Sequence, residues 1–393
     1  MICALAAFAA MSYSPTPDRA MEARLRHTVE KLSSWPNRNT NNETLTEAAE
    51  WLASEYRKIP GLQVEIMRYP VKAGPRIAKD RDVVQVVAVL PGETDRRIVI
   101  GGHFDTINMT GKDRESTWSL PSPGANDDAS GVAVALEAAR SLASRKWHQT
   151  LVFVAFSGEE QGLNGSTALA ARAKQEDWKI DAVLSNDTVG SSSNLEGQSD
   201  PHHIRLFSED LPPEPREGQT PLPRHHSREL ARFIEWATRK KVPGMDVKLV
   251  FRADRFGRGG DHTPFNRQGF NAVRLVEPHE EYSRQHTDQD LAKFVDFPYL
   301  SRVAMINIEA MKTLAQAGDP PTRVRLSRSQ NHDSHLTWEG EGDFVLYWRE
   351  TTSPAWQASK EVGSVNEVTI PKVSKDDYVF AVGAKGGIPV EAR

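Results

Sequence analysis

Cysteine is almost absent from this chain: Cys3 is the single one among 393 residues. No intramolecular disulfide can form, and a cysteine-ligated structural zinc is excluded. A surplus of one charge is missing too, since 49 Lys and Arg stand against 53 Asp and Glu, a formal net charge of −4. Nucleic acid and anionic membrane surfaces call for a clustered basic face, so neither is expected as a partner. A small soluble substrate fits better. Long apolar runs are also lacking. The stretch MICALAAFAA at 1–10 would span only ~15 Å as a helix, too short to cross a bilayer. It resembles the apolar core of an export signal, with Ala7-Phe8-Ala9 in the small-x-small form of a cleavage site, although no Lys or Arg precedes it. The expectation is a secreted or periplasmic protein with a signal remnant in 1–20; a cytoplasmic protein with an N-terminal apolar segment is the alternative. Oligomeric state is not encoded in any motif.

What is present is an alternation of elements. Residues 21–32 and 45–58 show helical spacing of apolar side chains, with Thr44 placed to cap the second helix. Short β-rich runs then alternate with helices. Residues 83–90 and 97–101 read as neighbouring strands, 131–143 as a helix and 150–156 as a nearly continuous apolar strand. Strand 181–184, helix 226–240, strands 247–251 and 270–276, and a long closing helix at 296–317 follow. This pattern predicts an α/β sheet covered on both faces, with ligands beyond the carboxyl ends of its strands. Residues 188–224, rich in Ser, Pro, Gly and charge, read as a long loop. After Pro320-Pro321 the pattern changes to strands without helices at 322–326, 335–339, 343–350, 367–373 and 378–382. The expected domains are therefore a catalytic unit at 21–317 and an all-β sandwich at 318–393. The latter resembles a fibronectin type III domain, though its length is short of the usual ~100 residues.

Acidic and imidazole groups recur where strands end. His103 and Asp105 follow the strand at 97–101; two residues apart on extended chain, they point the same way. One can bind a metal while the other fixes the ring, or the pair can simply be a hydrogen-bonded strand end. Asn126, Asp127 and Asp128 open a helix, where one carboxylate is explained by capping and a cluster is not. Glu159 and Glu160 follow the most apolar strand and would repel each other in a cleft unless cations neutralised them. Asp187 ends another strand, and His286 lies in the segment QHTDQD at 285–290. Together these supply the nitrogen and oxygen ligands that suit zinc. The pairs His202-His203 and His225-His226 suit solvated or capping roles instead.

HFDT at 103–106, GANDDASG at 124–131, GEEQGLNGS at 158–166, NDTVG at 186–190, GGDHTPF at 259–265 and QHTDQD at 285–290 resemble the motif series of the co-catalytic di-zinc aminopeptidases. That family includes the secreted bacterial leucyl aminopeptidases and, more distantly, glutamate carboxypeptidase and glutaminyl cyclase. The resemblance implies the zinc exopeptidase fold, with a mixed, mostly parallel twisted sheet. It implies two Zn2+ bridged by Asp127, one completed by His103 and Asp187, the other by Glu160 and His286. Glu159 would be the general base, Asp105 would orient His103, and the Asp127–Asp128 peptide would be cis. Substrates would be peptides with a free N-terminus. Where some relatives place an oxyanion-holding tyrosine this chain has GRGGDH at 257–262, so Arg258 or His262 is the substitute to examine. A glutaminyl cyclase, a carboxypeptidase or a non-catalytic binding protein are the competing readings.

Overall fold

The computed structural model describes residues 19–209, 225–253 and 259–393. The expected N-terminal apolar segment, all but its last two residues, and Arg258 lie outside them. Helices α1 (Arg19–Leu32) and α2 (Glu43–Arg57) open the chain. Strands β1 (Gln63–Val71), β2 (Arg81–Leu90) and β3 (Arg96–His103) follow. After the short α3 (Ser116–Ser119) come α4 (Ala129–Leu142), β4 (Thr150–Phe156), α5 (Asn164–Gln175), β5 (Lys179–Asn186) and β6 (His203–Phe207). The α/β part closes with α6 (Ser227–Thr238), β7 (Asp246–Val250), α7 (His262–Arg267), β8 (Ala272–Val276) and α8 (Phe297–Leu314).

One eight-stranded sheet runs in the order β1-β2-β4-β3-β5-β8-β6-β7. The pairs β4–β3, β3–β5, β5–β8 and β6–β7 are parallel and the other three antiparallel. Alternate residues face opposite layers. Ile98 and Ile100 join the larger core with α1, α2, α4, α6 and α8, while Val99 joins the smaller one with Leu169 of α5 and Phe265 of α7. Helices on both faces explain why all seven residues of β4 are buried. Because β4, β3, β5 and β8 run parallel, their carboxyl ends open on one side. The chain leaves those ends at His103, Phe156, Asn186 and Val276.

Three expectations need correction. β2 and β3 are not neighbours, because β4 inserts between them, antiparallel to β2 and parallel to β3. The segment at 188–224 is not loop throughout: β6 lies within it and pairs with both β7 and β8. Asn42, not Thr44, is the N-cap residue of α2; the Thr44 hydroxyl donates instead to the Asn37 carbonyl. The helix start is elsewhere well signalled. Asp296 accepts from the Tyr299 amide at 3.0 Å at the start of α8.

The tail holds β9 (Thr322–Leu326), β10 (Ser334–Glu339), β11 (Phe344–Glu350), β12 (Ala358–Gly363), β13 (Glu367–Ile370), β14 (Tyr378–Ala384) and β15 (Val390–Glu391). They form two antiparallel sheets, β13-β10-β9 and β12-β11-β14-β15. Leu336 and Trp338 of the first meet Phe344, Leu346 and Phe380 of the second in one apolar cluster, so the sheets pack face to face.

Candidate metal centre

The carboxyl ends of β3, β4 and β5, the start of α4 and the segment after β8 bring the sequence-predicted residues together. His103 Nε2 lies 3.1 Å from Asp127 Oδ1 and 3.8 Å from Asp187 Oδ1. His286 Nε2 lies 3.1 Å from Asp127 Oδ2 and 2.8 Å from Glu160 Oε1. Asp127 thus stands between two imidazoles, one oxygen turned to each. The ligand atoms of His103, Asp127 and Asp187 lie within 4.8 Å of one another, as do those of Asp127, Glu160 and His286, and of His103, Glu159 and Glu160. A cavity of about 510 Å³ opens over them, lined also by Arg76, Leu163, Arg274 and Gln285. Among the described residues no other histidine joins such a cluster. His203 pairs with Asp200 at 2.8 Å, and His225 meets Ser227 at 2.8 Å.

The electrostatics show what such a cluster requires. Asp127, Asp128, Glu160 and Asp187 are almost fully buried, and uncompensated carboxylates in that setting are costly. Burial pushes the Glu159 carboxyl well above its usual range, with Glu160 and Asp187 adding to the rise and His103 opposing it. Burial also lifts Asp128. On His286 burial acts downward, but Glu160 and Asp127 win and raise it to about 11. His103 likewise stays high, because its bonds to Asp127 and Asp187 outweigh burial. The carboxylates draw positive charge onto both rings. Two divalent cations would satisfy the same field, and the donors, imidazole nitrogen with carboxylate oxygen, suit zinc.

The sequence reading assigned no positioning role to several residues that have one. Asp128 accepts from the amides of His103 (3.0 Å), Gly131 (2.9 Å) and Thr188 (3.1 Å), tying three ligand-bearing segments to one carboxylate. Asp290 accepts from the amides of Asn126 and Asp127, both at 2.9 Å. Arg38, fully buried, donates to the carbonyls of Leu32, Phe104, Pro123 and Gly124. Arg274 of β8 holds Asp187 Oδ2 at 3.0 Å; burial acts to raise the Asp187 carboxyl, but Arg274 and His103 together outweigh it and leave it well below the ordinary range. Gln285 donates to Asp127 Oδ2 at 2.7 Å. Asp128, Gln285 and Asp290 stand inside the quoted motifs, but their positioning bonds reach across the chain, and Arg38 and Arg274 lie outside every motif.

Two expectations change in detail. The His103 Nδ1 faces the main-chain carbonyl of Asp105 at 3.2 Å, nearer than that residue's carboxylate at 3.7 Å. The Asp105 carboxylate instead accepts from the amides of Glu159 and Glu160, each at 3.1 Å. It shapes the turn that carries the glutamates. His262 is buried 3.5 Å from Glu209 and does not line the cavity, whereas Arg274 does. The Asp127–Asp128 peptide is cis.

Fold and site together define a metallopeptidase of the zinc type. The model of Peptidase family M28 matches residues 85–311. A Leptosphaeria maculans protein named "Probable zinc metalloprotease" is 34% identical over 417 residues, covering 95% of each chain. The chain belongs to peptidase family M28. Among solved structures, a zinc aminopeptidase from Bacillus subtilis superposes with a TM-score of 0.56 at 16% identity, over 75% of this chain and 95% of that one. A glutaminyl cyclase from Porphyromonas gingivalis superposes with a TM-score of 0.53 at 17% identity, over 73% and 96%. At those identities the two show the shared fold. No helix among the described residues is long and apolar enough to cross a membrane.

Proposed function

We propose that this chain is a two-zinc aminopeptidase that removes single residues from peptides with a free N-terminus. The observation that carries the reading is Asp127, with one carboxylate oxygen toward His103 and the other toward His286. His103, Asp127 and Asp187 would hold one ion, and Asp127, Glu160 and His286 the other. When bound, such ions polarise the scissile carbonyl and lower the pKa of an attacking water.

The remaining work falls to the chain. Glu159 lines the cavity, and its raised pKa suits a group that takes a proton from water and passes it to the departing amine. The Asp105 carboxylate fixes the Glu159 amide and so its reach. Arg76 and Arg274 are the arginines that line the cavity. The tail is read as a fibronectin type III-like sandwich, and export as the destination of the chain.

Purified protein should hydrolyse leucine- or alanine-p-nitroanilide, lose activity to a chelator and recover it with zinc. Glu159→Gln should keep its metal and lose roughly 10²–10⁴-fold in turnover. Cyclisation of N-terminal glutamine without hydrolysis of free-amine peptides would establish the cyclase reading instead.

A further inference from the structure

The amino ends of β3, β4 and β5, opposite the acidic cluster, look into a second cavity of about 790 Å³ between the catalytic part and the tail. Arg96, Arg228 and Arg232 line it from one side and Arg323, Arg349 and Arg393 from the other; the acids there are Asp181, Glu229 and Glu391. Some of these charges are matched. Arg96 pairs with Asp181 (Nε to Oδ2, 3.0 Å), Arg232 with Glu229, and Arg323 with Glu339 at 2.7 Å.

Arg349 differs. It is only 8% exposed, and its Nη1 donates to the Ser353 carbonyl at 2.9 Å. Its Nη2 lies 3.9 Å from Glu391, beyond hydrogen-bond reach, and its buried Nε–H has no acceptor. Burial, then the neighbouring Arg232, push its pKa down, against the pull of Glu229 and Glu391. Helix α6 begins on the same wall, and His226 at its N-cap makes no side-chain cap bond. The helix terminus therefore adds positive potential where the arginines already converge.

We propose that this cavity is a binding site for a compact oxyanion, phosphate or a phosphate monoester, with Arg349 as its buried contact. Guanidinium forks match tetrahedral oxyanions in shape and charge. Because the arginines come from both sides of the seam, the ligand ties the tail to the catalytic part. The inference does not depend on the peptidase reading, and the site stands a full strand length from the metal cluster.

The test is calorimetric titration of the full chain with inorganic phosphate at fixed sodium chloride, comparing wild type with Arg349→Gln. Saturable binding that raises the melting temperature, weakened roughly tenfold or more in R349Q, is the expected result. Arg323→Gln, at the exposed lip, should weaken binding less, and it decides alone if R349Q does not fold. Absence of saturable binding at millimolar phosphate overturns the proposal. So does equal affinity in wild type and the folded variants, which would put the anion elsewhere, as on the metal cluster.

Discussion

Arg274 occupies a position where a charge is hard to justify unless it has a task. It is 1% exposed in the middle of β8, and it grips the Asp187 oxygen opposite the one turned toward His103. Replacing such an outer partner of a metal ligand characteristically costs 10–100-fold in metal affinity. On the two-zinc reading proposed above, Arg274→Gln should therefore release the ion assigned to His103 and Asp187 about that much more readily. Metal release into a chromogenic chelator, resolved into two phases, checks it; unchanged release would remove Arg274 from the site. Glu229 offers a test away from the metals. Burial lifts its carboxyl to about 6, outweighing the charge of Arg232. The folded state then binds the proton more tightly than the unfolded one. The resulting stabilisation is complete below the ordinary carboxylate pKa and disappears as pH rises through 6. Relative to wild type, Glu229→Gln should gain up to about 2 kcal/mol between acid and neutral pH, measured by denaturant unfolding at both. The metal-ligand candidates themselves were legible because each stands within a strand-end motif. Arg38 and Arg274 were not, because nothing near them in sequence marks a partner more than 60 residues away; Asp290 stood in a quoted motif, but its bond to the Asp127 amide did not show.

Among elements, the crossing of β3 and α4 governs the geometry of the site. A Cβ at Gly102 would stand 2.6 Å from the Gly131 carbonyl carbon, 2.7 Å from the Val132 nitrogen and 2.7 Å from Asp128 Oδ2. All three belong to the helix start that carries Asp127. Gly102→Ala must push that helix away, costing about 1–3 kcal/mol and reducing metal retention. Gly318→Ala, with open space around it, should stay within about 0.5 kcal/mol. Equal melting temperatures for the two variants would show that the close approach is not essential. Element type was readable wherever one period dominated, as in β4, β9 and the helices α6 and α8. Strand order was not, since insertion of β4 between β2 and β3 is decided by long-range pairing. β1, β6 and α5 went unseen for local reasons. In β1 the apolar residues Ile66 and Met67 are adjacent and a proline follows, β6 is five residues inside a polar segment, and α5 is a small-residue helix of weak amphipathic contrast.

At the scale of the molecule, the question is whether the tail is a separable module. Its four-stranded sheet meets α6 directly: the rings of Trp236 and Tyr347 pack edge to face with centroids 5.0 Å apart, and Trp356 is completely buried beside Tyr347. Arg232 Nε donates to the Pro354 carbonyl at 2.8 Å, and Arg239 Nη2 donates to that of Trp356 at 3.0 Å. Buried aromatic contacts of this kind add about 0.5–1.5 kcal/mol per pair beyond the area they cover, so the two parts should unfold together. A single cooperative transition is expected for the full chain, with the same midpoint by tail and catalytic-part fluorescence probes. Deleting residues 318–393 would uncover Trp236 and the amino ends of β3 and β5. The shortened protein should melt earlier and associate, losing activity through instability. Trp236→Ala, a milder lesion, should lower the melting temperature while leaving KM for a small p-nitroanilide unchanged, because α6 does not line the catalytic cavity. A truncated chain that stays monomeric, melts at the full-length temperature and keeps its turnover would mean that the sandwich serves only to bind something else.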